Sequence, residues 1–449
     1  MNEGHVAFVS LELIREKIAE GLSFEDALAQ TKKQCVFTTH TPVEAGHDRF
    51  SPELMHYALL KLQPKVTPSF KDLMALGRVN PDDDREAFCM TVLALKASRS
   101  ANAVSELHGH VSRKMWRKLY PDISEENIPI VHITNGIHMM GWMKGPVRSF
   151  WRNKLGQGWD REIYSPSFWN RILDPNFVSD EEIWALRYRL RRALIEFARR
   201  RSVLQRLSAG DESSFDRILD PDALTIGFAR RFASYKRAPL IFDDFETIVG
   251  LATNPLRPIQ FIFSGKAHPA DDEGKRRIQK IIHLSKYSEL RGRLVFIENY
   301  DVHIARQMIS GCDVWLNTPR RPLEASGTSG QKIICNGGLN LSIMDGWWRE
   351  AYDGTNGFAI GGDSQPASVA EQDRLDNQSL CRVLSEEVIP SFYERDEKGI
   401  PRKWIAKIRR SMATLIPKFT TWRMVQEYTR KCYLPDSIAD PRVESRNGE

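Results

Sequence analysis

No run of apolar residues in this chain is long enough to cross a bilayer as a helix, which sets aside a transmembrane span. Paired cysteines are missing too. The six cysteines, Cys35, Cys89, Cys312, Cys335, Cys381 and Cys432, lie scattered with no C-x-x-C spacing, which reads as free thiols in a reducing, cytoplasmic compartment. There is little excess of either charge: 64 basic residues stand against 58 acidic, a net +6. A nucleic-acid partner would call for a concentrated basic patch with interleaved aromatics, and none is visible. The opening stretch, MNEGHVAFVSLELIREKIAEG, carries charges throughout, so it reads as an amphipathic helix and not as a signal peptide. No internal repeat or low-complexity segment appears, and the polar tail after Pro435 is expected to fray.

What is present is ordinary globular material, 449 residues at 41% hydrophobic, enough for two or three domains. Short apolar or β-branched runs alternate with charged helical stretches, the pattern of an α/β fold with a largely parallel sheet. The runs fall at 35–41, 128–134, 223–229, 259–265, 293–299, 313–318 and 339–344, with helices expected over 271–290 and 301–310. From about 222 to 345 the alternation is regular enough for one Rossmann-like unit. The stretch 179–207 opens with Ser179 and has Glu182 three residues on, a capping-box start to a long amphipathic helix. Its many arginines read as a solvated face.

The stretch GTSGQKIICNGGLN, 327–340, sets a lone Lys332 among small residues. Closely spaced glycines near a lysine suggest a phosphate cradle. A nucleotide P-loop, however, needs glycine directly before the lysine and Ser or Thr directly after it. Here Gln331 and Ile333 flank Lys332, and Gly265-Lys266 is followed by Ala267, so both candidates fail. In a doubly wound sheet, ligands sit beyond the carboxyl ends of the strands. The loop after 223–229 carries Arg230, Arg231, Lys236 and Arg237; the loop after 293–299 carries Tyr300 and Asp301. The loop after 313–318 carries Arg320, Arg321, Glu324, Ser326, Thr328 and Lys332. Cations, hydroxyls and glycine amides at one sheet edge predict an anion site, with room for more than one phosphate. The eleven histidines do not suggest a metal: His40 and His47 are seven apart, and His108 and His110 are too close for an i, i+4 pair.

Five motifs in order, NEGH at 2–5, TTHTPVEAGHD at 38–48, ITNGIH at 133–138, RRFASYKR at 230–237 and NTPRRPLEASGTSGQK at 317–332, resemble those of the α-glucan phosphorylases. These are glycogen, starch and maltodextrin phosphorylases, and the likeness is to the shorter bacterial and archaeal branch. The resemblance runs from Asn2 to about Tyr433. It implies an α/β fold of GT-B type, two Rossmann-like lobes with the active-site cleft between them and the amino-terminal lobe incomplete. The implied parts are 1–135, the remaining amino-terminal lobe; 136–414, the carboxy-terminal cofactor and phosphate lobe; and 415–449, a helix returning toward the first lobe plus a tail.

By the same resemblance, pyridoxal 5′-phosphate is the cofactor and Lys332 its Schiff-base lysine. A lysine reaches the neutral state needed for attack more readily when desolvated or crowded by cations, and the neighbouring Ile333 and Ile334 fit that demand. Arg231 and Lys236 correspond to the pair that grips substrate phosphate, joining Lys332 as the catalytic set. Arg230, Thr328, Ser329 and Tyr300 correspond to cofactor contacts. Glu324, Ser326, Gly327, Asn135 and Arg99 correspond to sugar contacts, with His5 also near the active site; no metal is implied. The implied reaction is reversible phosphorolysis of an α-1,4-glucan from its non-reducing end, giving α-glucose 1-phosphate with retention. Partners would be the α-glucan and inorganic phosphate, with a homodimer or a separate amino-terminal chain as a further association. Departures from the pattern include Gln331 before the lysine, the run His138-Met139-Met140, and a start inside the first lobe that lacks a glycine-rich loop over the cofactor. Two other readings stay open: a non-catalytic remnant that binds cofactor or glucan, and a nucleotide-sugar glucan synthase of the same fold.

Overall fold

The computed structural model describes residues 1–67, 69–208, 218–362 and 366–434; the expected frayed tail lies outside them. The chain divides into two compact units. One holds Met1–Asn135, Pro322–Ser326 and the chain from Met424; the other holds Gly136–Arg321 and Gly327–Arg423. Among the described residues no helix is long and apolar enough to cross a membrane.

The second unit is built on a six-stranded sheet, and every pairing in it is parallel. In chain order the strands of the molecule are β1 Val36–Thr38, β2 Arg49–Phe50, β3 Phe88–Cys89, β4 Ser100–Ala103 and β5 Ile130–His132, all in the first unit. Then follow β6 Leu224–Ala229, β7 Ile259–Ser264, β8 Leu294–Ile297, β9 Val314–Asn317, β10 Leu339–Ile343 and β11 Phe358–Ile360. In the large sheet they lie in the order β8-β7-β6-β9-β10-β11. The order reverses between β6 and β9, where the chain leaves one half of the sheet and begins the other. That reversal opens a crevice at the carboxyl ends of the two strands. Every residue of β6 and β7 is buried, which is why these strands read as near-continuous apolar runs with no alternation. The core beneath includes Phe228, Phe261, Phe263, Trp315 and Trp348.

All seven strand runs read from the sequence fall on observed strands. β2, β3, β4 and β11 have no counterpart among those runs, and β2 and β3 are only two residues each. β4 reads Ser-Ala-Asn-Ala, without β-branched or aromatic residues, and it owes its place to parallel pairing on both sides. Its buried Asn102 accepts from the Thr38 hydroxyl at 2.8 Å and donates to Tyr428 Oη at 3.0 Å. β11 is three residues long, too short for periodicity to register.

The long helix Asp180–Ser208 begins with the expected capping box. The Ser179 N–H donates to Glu182 Oε2 at 2.9 Å, and the Glu182 N–H donates to Ser179 Oγ at 3.2 Å. Its arginines correct the solvated-face reading at two positions. Arg187 and Arg191 are each 1% exposed and both reach the buried Asp313 carboxylate, at 3.4 and 2.8 Å. Arg187 also donates to the carbonyls of Ser310, Gly311, Cys312 and Asn336. Arg191 donates to the Pro221 carbonyl at 2.6 Å, so the helix is clamped to the entrances of β6 and β9.

The first unit carries the three-stranded parallel sheet β1-β4-β5 and a small antiparallel pair, β2-β3. The expected amino-terminal helix spans Val9–Ala19 and packs through Leu11 and Ile14 on a core with Phe37, Phe88 and Leu93. Glu3 joins two of the sequence motifs. Its carboxylate accepts from the His40 N–H at 2.6 Å and from the Thr41 hydroxyl at 3.0 Å, while its own φ of 70° lies in the left-handed region. A non-glycine residue held there costs energy, which these hydrogen bonds offset.

Candidate functional site

The loops after β6, β8 and β9 bring several of the predicted residues together within the second unit. Lys332 sits near the end of the short helix Ser329–Ile334, with Ile333 and Ile334 buried beside it. Its Nζ lies 4.3 Å from the centre of the Trp142 ring. Burial presses its ammonium below the ordinary lysine value, and the nearby Arg230 guanidinium adds to that depression. The indole face works in the opposite sense, since its quadrupole favours the charged form. Arg230 is buried and acts on Tyr300 as well: burial raises the phenol, and the guanidinium partly offsets the rise. Lys332, Arg230 and Tyr300 therefore share one electrostatic neighbourhood. Their anchors in sequence are 32 and more residues apart.

The glycines near this site serve close packing. A Cβ on Gly330 would stand 2.5 Å from Asn340 Oδ1 and 3.0 Å from Asn317 Nδ2. Those amides bond to each other at 2.9 Å across β9 and β10, and Ser329 Oγ donates to Asn317 Oδ1 at 3.1 Å. The start of the lysine helix thus rests on a buried amide pair. A Cβ on Gly265 would come within 2.2 Å of the Arg230 carbonyl, so Gly265-Lys266 is a packing feature of the β7 end and no phosphate loop.

The basic residues of these loops separate into two groups. Arg237 is 2% exposed and takes a left-handed φ of 42°. It donates to the carbonyls of Thr318 and Pro319 and to the carboxylates of Asp373 and Asp376, the latter two both at 2.7 Å. Arg320 also pairs with Asp373, at 2.6 Å. Burial pushes the Asp373 carboxyl up, yet hydrogen bonds from Arg320 and Arg237 outweigh it and hold the group below the ordinary aspartate value. These two arginines tie the β6 and β9 loops to the helix Val369–Val383, and belong to the scaffold. Arg231 is exposed and Lys236 half-buried beside the Tyr235 ring, at 5.2 Å. Asp301 caps the helix Val302–Gly311 by accepting from the Ile304 N–H at 2.8 Å.

The predicted sugar contacts fall mainly in the first unit. Glu324 is half-buried and Ser326 is 5% exposed. Between them, the Ala325 carbonyl accepts from Ser105 Oγ at 2.6 Å. The Asn135 N–H donates to the Val104 carbonyl at 3.1 Å, and His5 is exposed. Arg99 donates to the Cys432 carbonyl, which engages one edge of its guanidinium with the carboxy-terminal stretch. Gly327 and Thr328, half-buried, begin the return into the second unit.

Two residues of this neighbourhood had no signal in the sequence. Trp142 supplies the ring under Lys332, and Asn336 bonds the main chain at Trp142 and Lys144. They lie 190 and more residues apart from each other in the chain, so no local motif could link them.

Comparison with known proteins gives the same direction. A family profile described as carbohydrate phosphorylase matches residues 1–380. The chain is 40% identical over 433 residues to the maltodextrin phosphorylase of Thermococcus litoralis, covering 96% of this chain and 50% of that protein. It is 41% identical over 448 residues to a glycogen phosphorylase of Mycobacterium tuberculosis, covering 97% and 51%. A glycogen phosphorylase of Aquifex aeolicus is 38% identical over 437 residues, covering 96% and 62%. The chain spans about half the length of the first two relatives.

Proposed function

Since the chain belongs to the carbohydrate phosphorylase family, we propose that it is a pyridoxal phosphate-bearing α-glucan phosphorylase chain of GT-B type, with Lys332 as the residue that holds the cofactor. The observation that carries this reading is the Lys332 amine, half-buried over an aromatic face and depressed in its titration by burial and by Arg230. A lysine meant to condense with an aldehyde needs its amine deprotonated near neutral pH, and desolvation beside a second cation is the way to lower its proton affinity. Arg230 fits the cofactor as well. A buried guanidinium beside the amine suits a phosphate group carried by the same molecule, and Tyr300 lies in the same field.

Bound pyridoxal phosphate supplies, through its 5′-phosphate, a proton-relay or electrostatic partner to the substrate phosphate. The rest falls to this chain's side chains. Arg231, exposed, and Lys236, half-buried, follow β6 at the crevice where the strand order reverses. There they would bind inorganic phosphate and steady the charge that moves between it and the departing sugar. Glu324, Ser326 and Asn135 would orient sugar hydroxyls, the carboxylate accepting and the amide doing both. The reaction so assembled is phosphorolysis of an α-1,4-glucan to α-glucose 1-phosphate with retention.

The test is an absorbance spectrum of the purified chain with pyridoxal phosphate, before and after borohydride, followed by peptide mapping. A pyridoxyl group fixed on the peptide containing Lys332 is the expected result, with Lys332→Ala losing both the label and phosphorolysis. A folded chain that fixes no pyridoxyl group there sinks the reading and leaves the remnant in its place.

A further inference from the structure

Asn336 closes the turn that follows the helix Ser329–Ile334, four residues beyond Lys332, and is 2% exposed. Each of its polar groups outside the turn is used. Its carbonyl accepts from Arg187 Nη1 at 2.8 Å, which fixes the turn to the helix Asp180–Ser208. Its Nδ2 donates to the Trp142 carbonyl at 2.9 Å, and its Oδ1 accepts from the Lys144 N–H at 2.9 Å. The side-chain amide thus pairs with the segment 142–144 through a donor and an acceptor, as a neighbouring strand would. On the residue whose carbonyl takes the first of those bonds, the Trp142 side chain is turned to the Lys332 amine, 4.3 Å from ring centre to Nζ.

We propose that Asn336 is a positioning residue for Lys332: by holding the main chain of 142–144 it sets the Trp142 indole against the amine, and so fixes both where the amine points and how it titrates. The consequence for cofactor capture rests on the reading of Lys332 given above; the positioning itself does not. Two opposed influences meet at the Nζ. Desolvation and Arg230 favour the neutral amine, while the indole face favours the ammonium. An amine balanced between them can be kept in one place as a cation and still release its proton when a carbonyl arrives. The amide side chain meets the 142–144 main chain with one donor and one acceptor at once. Aspartate would lose the bond to the Trp142 carbonyl and place like lone pairs opposite each other.

The measurement is the pH dependence of acetic anhydride trace labelling at Lys332, read by mass spectrometry on the full chain without cofactor. Trp142→Leu keeps apolar bulk but removes the ring face, and moves the labelling midpoint toward acid by roughly half a pH unit to one and a half. Trp142→Phe retains a face and stays nearer the wild-type midpoint. Asn336→Ala shifts the midpoint in the otherwise unchanged chain and leaves it unmoved in the Trp142→Leu background, because its effect travels through the ring. Equal shifts in both backgrounds would mean that Asn336 serves only general packing, and would overturn the proposal. Trp142→Leu leaves the hydrogen bonds of Asn336 alone, so a wild-type midpoint in that variant overturns it even if Asn336→Ala does not fold. Labelling needs no cofactor, and its outcome is therefore separate from whether borohydride fixes a pyridoxyl group.

Discussion

A lysine in water keeps its proton to about pH 10.4, and the environment of Lys332 works against that. Burial is the larger influence and the Arg230 guanidinium the smaller, which predicts the outcome of removing the cation. Arg230→Gln raises the midpoint of Lys332 labelling, with a residual depression left by burial. If Lys332 holds the cofactor as proposed, affinity for pyridoxal phosphate in the same variant falls about tenfold or more, the scale of one hydrogen bond to a charged group. Titrating cofactor against the borohydride-fixed fraction checks the second effect. An unchanged midpoint would mean that Arg230 does not act on the amine. Which lysine to single out was legible in the sequence, because small residues on one side and an apolar run on the other are local features. The ring and the amide that surround it were not, since Trp142 and Asn336 reach the site from distant segments. Composition also assigned to the expected anion site two arginines that the fold uses elsewhere. Arg237 and Arg320 look like ligands in a basic loop, but Asp373 and Asp376, far along the chain, engage them.

Periodicity located strands and helices well and misjudged what one helix faces. Apolar runs in β6 to β10 were visible because both faces of this parallel sheet are covered, so burial leaves an unbroken signature. The helix Asp180–Ser208 has arginines on all sides, and nothing in that pattern separates a solvated guanidinium from one that reaches a buried carboxylate. Arg187 and Arg192 give a direct comparison within this element. Arg187→Leu strips the donor from four carbonyls and weakens the pairing at Asp313. It should cost about 3–5 kcal/mol, the scale of breaking a buried ion pair from one side. Arg192→Ala removes only an exposed pair with Glu196 at 3.1 Å, and should stay within about 1 kcal/mol. Urea unfolding of both variants decides the matter. Similar midpoints for the two would show that the buried arginine does not clamp the helix to the sheet.

At the scale of the whole chain, the two units carry titratable groups of different kinds, and this separates their responses to acid. In the first unit His40, His47, His108 and His132 are all depressed, each chiefly by burial, His108 to about 4. Unfolded, these imidazoles take up protons near pH 6.5; folded, they resist. Below pH 6.5 the unfolded state binds more protons, so stability is full above that value and falls as the pH drops toward 4. His108 alone accounts for on the order of 3 kcal/mol of that fall. In the second unit two of the shifted aspartates, Asp180 and Asp373, are held low by arginines against the upward push of burial. Their contribution persists down to the ordinary aspartate value near 3.8 and is lost only as the pH falls through their depressed values. Acidification from pH 7 should therefore loosen the first unit between about pH 6 and 4 while the second keeps its protection. Hydrogen exchange read by mass spectrometry, corrected for intrinsic rates, resolves the two sets of peptides. His108→Gln, which retains an acceptor for the Val104 N–H that His108 Nδ1 takes at 3.3 Å, should flatten the slope in the first unit. Loss of protection in both units at one pH, unaltered by that substitution, would assign acid sensitivity to groups other than the buried histidines.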